Sequence, residues 1–172
     1  MKQEIERRLY ASDLGPCVCT QVRRLARKLS SHYESFLAPE GLTITQYSLL
    51  ANIDRAGSIP HTMLAEKVGM ERTTLTRNLR LLLESELINV VQGKDRRQHL
   101  LKITRLGKQK LVRGLPFWEE AQRQFLTSLG PETTHELNSV LQSVETAVTK
   151  ISQLDGDATK RRANADPNGQ KK

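Results

Sequence analysis

The stretch Leu64-Ala65-Glu66-Lys67-Val68-Gly69-Met70-Glu71-Arg72-Thr73-Thr74-Leu75-Thr76-Arg77 reads as two helices meeting at a tight corner. Gly69 suits the position just past a helix end, where a left-handed turn costs glycine nothing. A helix from about His61 to Val68 therefore closes there, and a second begins within two or three residues. In that second helix Leu75, Leu79, Leu82 and Leu83 recur at i, i+4, i+7 and i+8, which predicts one buried stripe. The opposite face carries Thr73, Thr76, Arg77, Arg80 and Glu84. Threonine is a poor helix former, so the run Arg72 to Arg77 is costly unless those side chains are used. Short hydroxyl side chains let a helix approach a duplex closely and donate to phosphates or base edges, and arginine can grip guanine with two hydrogen bonds. The plainer alternative is a solvated polar face, but such faces mix signs and favour Glu, Lys and Gln.

Working outward, the hydrophobic period changes after this helix. Leu87 to Gln92 and Gln98 to Ile103 are short runs of β-branched and apolar residues flanking Gly93-Lys94-Asp95-Arg96-Arg97, a hairpin signal with a basic tip. Lys94, Arg96 and Arg97 would reach a phosphate or the minor groove, with Asp95 holding an arginine in place. Between Arg72 and Lys110 there are ten basic and three acidic residues, a local +7 in a chain whose formal net charge is +8. Charge concentrated in this way gains counterion-release free energy on a polyanion. Two short helices followed by a two-stranded hairpin predict a winged helix-turn-helix.

On the N-terminal side, Thr43-Ile44-Thr45-Gln46 fits a capping box that opens a helix to about Arg55, stopped by Gly57. Before it, Gly15-Pro16 opens a long helical pattern in which Val18, Val22, Leu25, Leu29, Phe36 and Leu37 share a face, ending near Ala38 before Pro39 and Gly41. On the C-terminal side, Thr104 caps a helix that Gly114 and Pro116 should bend or interrupt. Gly130-Pro131-Glu132 then starts a final helix to about Leu154, with Leu137, Val140, Leu141, Val144 and Val148 on one face. The expected fold is mainly α with a small β-hairpin wing. Its parts are a flexible arm (1–14), an N-terminal dimerisation helix (15–42), a winged helix-turn-helix domain (43–104), C-terminal dimerisation helices (105–154) and a disordered polar tail (155–172).

Bulk properties agree. Of the 172 residues 37% are apolar and only 4% aromatic, a composition that builds a helical core from Leu, Val, Ile and Ala. No apolar run approaches the ~20 residues of a spanning helix, and Met1 to Tyr10 lacks the apolar region of a secretory signal, so a cytoplasmic protein is expected. Two cysteines make no disulfide framework. Paired carboxylates, a nucleotide loop and a nucleophile–base arrangement are all missing, which argues against an enzyme and for no cofactor or metal.

The quoted stretch, together with Asp95-Arg96-Arg97 and Ile103-Thr104-Arg105-Leu106-Gly107, resembles the MarR (multiple antibiotic resistance regulator) family over roughly residues 17 to 152. The resemblance implies a homodimer whose terminal helices intertwine and which binds double-stranded DNA at a palindromic operator, recognition helices in major grooves and wings at flanking minor grooves. It also implies a transcriptional regulator of the repressor kind, relieved by a small molecule. Arg72, Thr73, Thr74, Thr76, Arg77, Arg80, Lys94, Asp95, Arg96 and Arg97 are then the DNA-contacting residues. One departure is Glu86, where the family usually has glycine at the end of the recognition helix; a left-handed residue other than glycine costs ~1 kcal/mol. Pairing has a physical basis besides the resemblance, because a small three-helix core cannot bury the apolar stripes of the first and last helices.

Two control mechanisms are open. Family members commonly bind a small aromatic or phenolic anion between the dimerisation helices and the DNA-binding lobe, and Arg23, Arg24, His32, Tyr33, Phe36 and Trp118 could line such a pocket. The plainer alternative is packing for the rings and solvation for the arginines. A peroxide-sensing branch carries a cysteine fourteen residues before a tyrosine, the spacing of Cys19 and Tyr33 here, whereas positions where that branch has further tyrosines hold Arg23 and Ile44. Cys19 as a small apolar interface residue is the competing reading, with Cys17 read as packing. A protein-interaction module and an architectural, non-specific DNA binder are the other classes open to a winged helix.

Overall fold

The computed structural model describes residues 15–93, 95 and 97–165, with 155–165 described by backbone alone; the expected arm (1–14), Lys94 and Arg96 of the wing tip, and the tail beyond 165 lie outside it. The elements are α1 (Val18–Leu37), a 3₁₀ turn (Ala38–Glu40), α2 (Ile44–Ala56), β1 (Ile59–Pro60), α3 (His61–Val68), α4 (Arg72–Glu84), β2 (Ile88–Gln92), β3 (His99–Ile103), α5 (Arg105–Leu129) and α6 (Pro131–Ala165). The described residues form two compact units that divide between Gln122 and Arg123.

Local chemistry explains most boundaries. Thr43 caps α2 by accepting from the backbone N–H of Gln46 at 3.1 Å, while the Gln46 side chain accepts from the Thr43 N–H at 2.9 Å. Gly69 closes α3 at φ +62°, in the left-handed region. Thr104 caps α5 by accepting from the Gly107 N–H at 3.0 Å. The 20-residue α1 starts at Val18 with Cys17 as its cap residue, so Pro16 lies before the helix and not at its first position.

The core of the first unit is aliphatic, with Leu37, Leu49, Leu50, Ile53, Leu64, Leu75, Leu82 and Ile88 nearly solvent-free. The α4 stripe is narrower than expected: Leu75, Leu79 and Leu82 are buried, but Leu83 is 37% exposed. At about 100° per residue Leu83 lies about 80° round the helix from Leu75, at the rim of the packed face.

The hairpin pairs β2 with β3 in antiparallel register, Ile88 opposite Ile103 and Gln92 opposite His99. A further strand, β1, not expected from the sequence, pairs outside β3 with Ile59 opposite Leu101 and makes the order β1-β3-β2. Two residues, one a proline that an edge strand tolerates, carry too little periodicity to announce a strand.

Two further expectations are corrected. Gly114 and Pro116 do not interrupt α5, which runs unbroken through both. Gly114 faces the ring of Tyr47, where an added Cβ would meet the ring at 3.0 Å, so the residue serves close helix packing and not helix termination. The last helix does not stop at Leu154 but continues to Ala165. The segment 155–165 carries no apolar stripe to mark a packed helix, but a helix already nucleated adds Ala158, Lys160, Arg161, Arg162 and Ala163 at little cost.

Candidate nucleic-acid interface

Burying Leu75, Leu79 and Leu82 turns the other side of α4 to solvent. Arg72, Thr73, Thr74, Thr76, Arg77 and Arg80 are all exposed. Among the described residues Arg77 has no side-chain partner, whereas Arg80 pairs with Glu84 one turn on at 3.3 Å, both ends open to water. Such a pair is weak and readily exchanged for a phosphate.

The threonine hydroxyls are not all available as the sequence suggested. Thr73 donates to the Glu71 carboxylate at 2.6 Å, and Thr76 donates to the Arg72 carbonyl at 2.8 Å. Nε2 of His61, at the start of α3, lies 3.2 Å from the Thr76 hydroxyl oxygen. His61 was not among the residues singled out from sequence, because only the corner between α3 and α4 brings it beside the recognition face.

At the wing tip the Asp95 carboxylate accepts from the backbone N–H of Arg97 at 2.9 Å, so it shapes the turn through the main chain and not by holding the Arg97 guanidinium. Arg97 itself is exposed. The local +7 overstates the charge facing this surface. Lys108 is ion-paired with Asp54 on α2, and Lys110 donates to the Glu40 carbonyl at 2.7 Å. Both lysines work to dock α5 on the rest of its unit.

Of the residues expected to hold an effector, three come together on α1. His32, Tyr33 and Phe36 form an aromatic cluster on α1, His32 edge-on to both neighbours at 5.5 and 5.2 Å between ring centres. The cluster is tied to α5: the Tyr33 hydroxyl donates to the Gln122 side chain, and His32 Nε2 lies 3.0 Å from the Ala121 carbonyl. Burial pushes the Tyr33 phenol above its ordinary pKa. Arg23 and Arg24 lie farther along α1 and are exposed. Trp118 instead stacks on Tyr47, with ring centres 6.3 Å apart, in a cleft of about 440 Å³ between α2 and α5. Tyr47, Asp54, Arg55, Lys108, Leu111, Leu115 and Trp118 line it. Desolvation, with a smaller push from the Glu119 carboxylate, raises the Tyr47 pKa.

Cys17 and Cys19 are both free thiols and exposed, so neither packs within its own unit as was expected of Cys17. Hydrogen bonds from Thr20, side chain first and then backbone, hold the Cys17 thiol below its ordinary pKa. Fourteen residues of helix put Cys19 and Tyr33 about 21 Å apart along the axis, so they cannot meet within one chain. Among the described residues no three His, Cys, Asp or Glu side chains cluster as a metal site, and no helix is long and apolar enough to cross a membrane.

A helical corner that presents arginines and threonines outward, followed by an antiparallel wing with an exposed arginine, defines a winged helix-turn-helix DNA-binding regulator. The MarR family model matches residues 42–99. The transcriptional regulator MosR of M. tuberculosis, solved in complex with DNA, is 35% identical, with 77% of this chain and 98% of MosR covered at a TM-score of 0.65. The uncharacterized HTH-type transcriptional regulator YwoH of Bacillus subtilis is 28% identical over 109 residues, 61% of this chain and 80% of YwoH. A mutant MarR from E. coli complexed with operator DNA shares the fold at a TM-score of 0.68 and 19% identity, covering 74% of this chain and 92% of that one. The chain belongs to the MarR family of DNA-binding transcriptional regulators.

Proposed function

We propose that the protein is a cytoplasmic repressor that binds a palindromic operator as a homodimer and releases it when a small aromatic anion occupies the cleft between α2 and α5. The observation that carries the DNA reading is the division of α4 into three buried leucines and an exposed Arg/Thr face. Arg77, without a side-chain partner among the described residues, makes the base contact, and Arg72, Thr74 and Arg97 contact phosphates.

Homodimerisation rests on uncovered apolar surface in each unit. In α1, Val18, Val22 and Leu25 are 64%, 53% and 51% exposed, and in α6 the face of Val140, Leu141, Val144, Val148, Ile151 and Leu154 is equally open. Water-exposed stripes of this length call for a partner helix, and a second copy of the chain supplies one while pairing two recognition helices about one DNA turn apart.

Relief by a ligand is supported by the cleft and by the helix it shares. Its volume falls within the range of small-molecule sites, the Tyr47–Trp118 stack suits a ring, and Arg55 suits an anion. One helix, α5, carries Lys108, Leu111, Leu115 and Trp118 into the cleft and abuts the Leu87 backbone, just past the end of α4, at Gly107, so a ligand that shifts α5 pulls on the segment that leaves the recognition helix.

A second reading, redox control, draws on the exposed Cys17 and Cys19 and on the lowered Cys17 pKa. It moves the reactive position from Cys19 to Cys17.

The test is retention of genomic DNA fragments by the purified protein, followed by sequencing and sedimentation of the complex. A two-fold symmetric motif, bound by a dimer and lost with Arg77→Ala in a folded protein, is the expected result. Binding without sequence preference would point to an architectural DNA binder, and undiminished binding by Arg77→Ala would remove the recognition-face assignment.

A further inference from the structure

We infer that Thr76 reads the DNA with its methyl group, recognising the C5-methyl of a thymine, and that His61 is the residue that holds it in that role. The inference rests on the reading that α4 enters the major groove. A threonine hydroxyl has one proton and two lone pairs. The Thr76 proton is committed to the Arg72 carbonyl at 2.8 Å, one turn back on the same helix. With that proton spent, the 3.2 Å contact to His61 can be a hydrogen bond only if His61 donates through Nε2–H, which occupies a lone pair of the hydroxyl oxygen. The exposed side chain therefore enters a groove with its hydroxyl unable to donate and already accepting. The Cγ2 methyl is the part left to meet a base.

The major groove offers one apolar feature that distinguishes bases, the methyl of thymine, and threonine methyls are among the groups that recognise it. The position is built for this. Thr73, on the same face, also spends its proton internally, on Glu71 at 2.6 Å, while no described residue takes the hydroxyl proton of Thr74. The face thus divides into Thr74 as a hydroxyl donor for the backbone, Arg77 as a base-edge donor and Thr76 as an apolar reader. His61 is a positioning residue: it touches no base and acts by keeping the Thr76 hydroxyl turned away from the groove.

The experiment uses the full-length protein and a duplex selected from a random-sequence library, in which each thymine of a half-site is replaced in turn by deoxyuridine, which lacks only the methyl. One replacement is expected to weaken binding about four-fold, the worth of one buried methyl. Thr76→Val, which keeps the methyl, should retain that sensitivity, and Thr76→Ser, which keeps only the hydroxyl, should lose it. His61→Ala should blunt the sensitivity in the parent and leave it unchanged in a Thr76→Val background, a coupling that a merely structural role would not produce. The inference is overturned if no thymine responds to demethylation, or if folded Thr76→Val loses specific binding while Thr76→Ser retains it. A protein that selects no sequence, or whose selection survives Arg77→Ala, would overturn the groove reading beneath it instead.

Discussion

The carbonyl oxygen of Leu87 lies 2.0 Å from the point where a Cβ on Gly107 would sit. No side chain fits there, because helix α5 is pressed against the backbone that leaves the recognition helix. Thr104 completes the joint: its N–H donates to the Leu87 carbonyl at 3.0 Å, and its hydroxyl lies 2.7 Å from the Glu86 carbonyl and 3.2 Å from that of Leu87. The segment that leaves α4, the base of the wing and the start of α5 are thereby joined at one corner.

Gly107→Ala is expected to destabilise the protein by about 3 kcal/mol or more, since the clash is with backbone and cannot be relieved by a rotamer change. Urea unfolding followed by circular dichroism checks this. A midpoint unchanged from the parent would show that the joint yields.

Glu86 stands in the same corner at φ +55°, the one described residue other than glycine with positive φ. Its strain in the left-handed region costs about 1 kcal/mol. Glu86→Gly should raise the unfolding free energy by a similar amount, because the Glu86 carbonyl that Thr104 binds is kept. A lowered thermal midpoint would mean that the glutamate side chain contributes a contact that outweighs the strain.

Salt dependence separates the two kinds of basic residue. Arg72 is exposed on α4, whereas Lys108 is committed to Asp54. Arg72→Ala should reduce the slope of log affinity against log salt by about one and weaken binding to all sequences alike. Lys108→Ala should leave the slope unaltered. Equal changes in both, measured by fluorescence anisotropy, would place the α5 lysine on the DNA.

Thiol chemistry has a defined sign. Because hydrogen bonds from Thr20 lower the Cys17 pKa, more of this thiol is thiolate at neutral pH than in an ordinary cysteine. In a Cys19→Ser protein, alkylation of Cys17 should reach half its limiting rate below the usual thiol pH, and Thr20→Ala should shift that midpoint upward. An unmoved midpoint would show that Thr20 does not set the reactivity.

Much of this was readable along the chain. The capping box at Thr43 and Gln46, the glycine stop at Gly69 and the cap at Thr104 are interactions over three or four residues, decided by local chemistry before any tertiary contact forms. The four-residue and seven-residue spacing of Leu75, Leu79 and Leu82 likewise settles which side of α4 is buried, and hence which side faces a partner. Where short-range logic failed, a distant element was responsible. Gly114 stays inside α5 because the ring of Tyr47 on α2 lies against it, and β1 pairs with the free edge of β3.

The sequence by itself determined that a helix with an outward Arg/Thr face stands at a tight corner before a basic hairpin, since these are consequences of periodicity and capping. Only the tertiary structure decided what each polar group has left to give. His61 meets Thr76 across the corner, Asp54 takes Lys108, and Tyr47 stacks on Trp118, pairings between residues 15 to 71 positions apart. A hydrogen bond consumes a specific proton or lone pair, and which one is consumed depends on where the folded chain brings its partner.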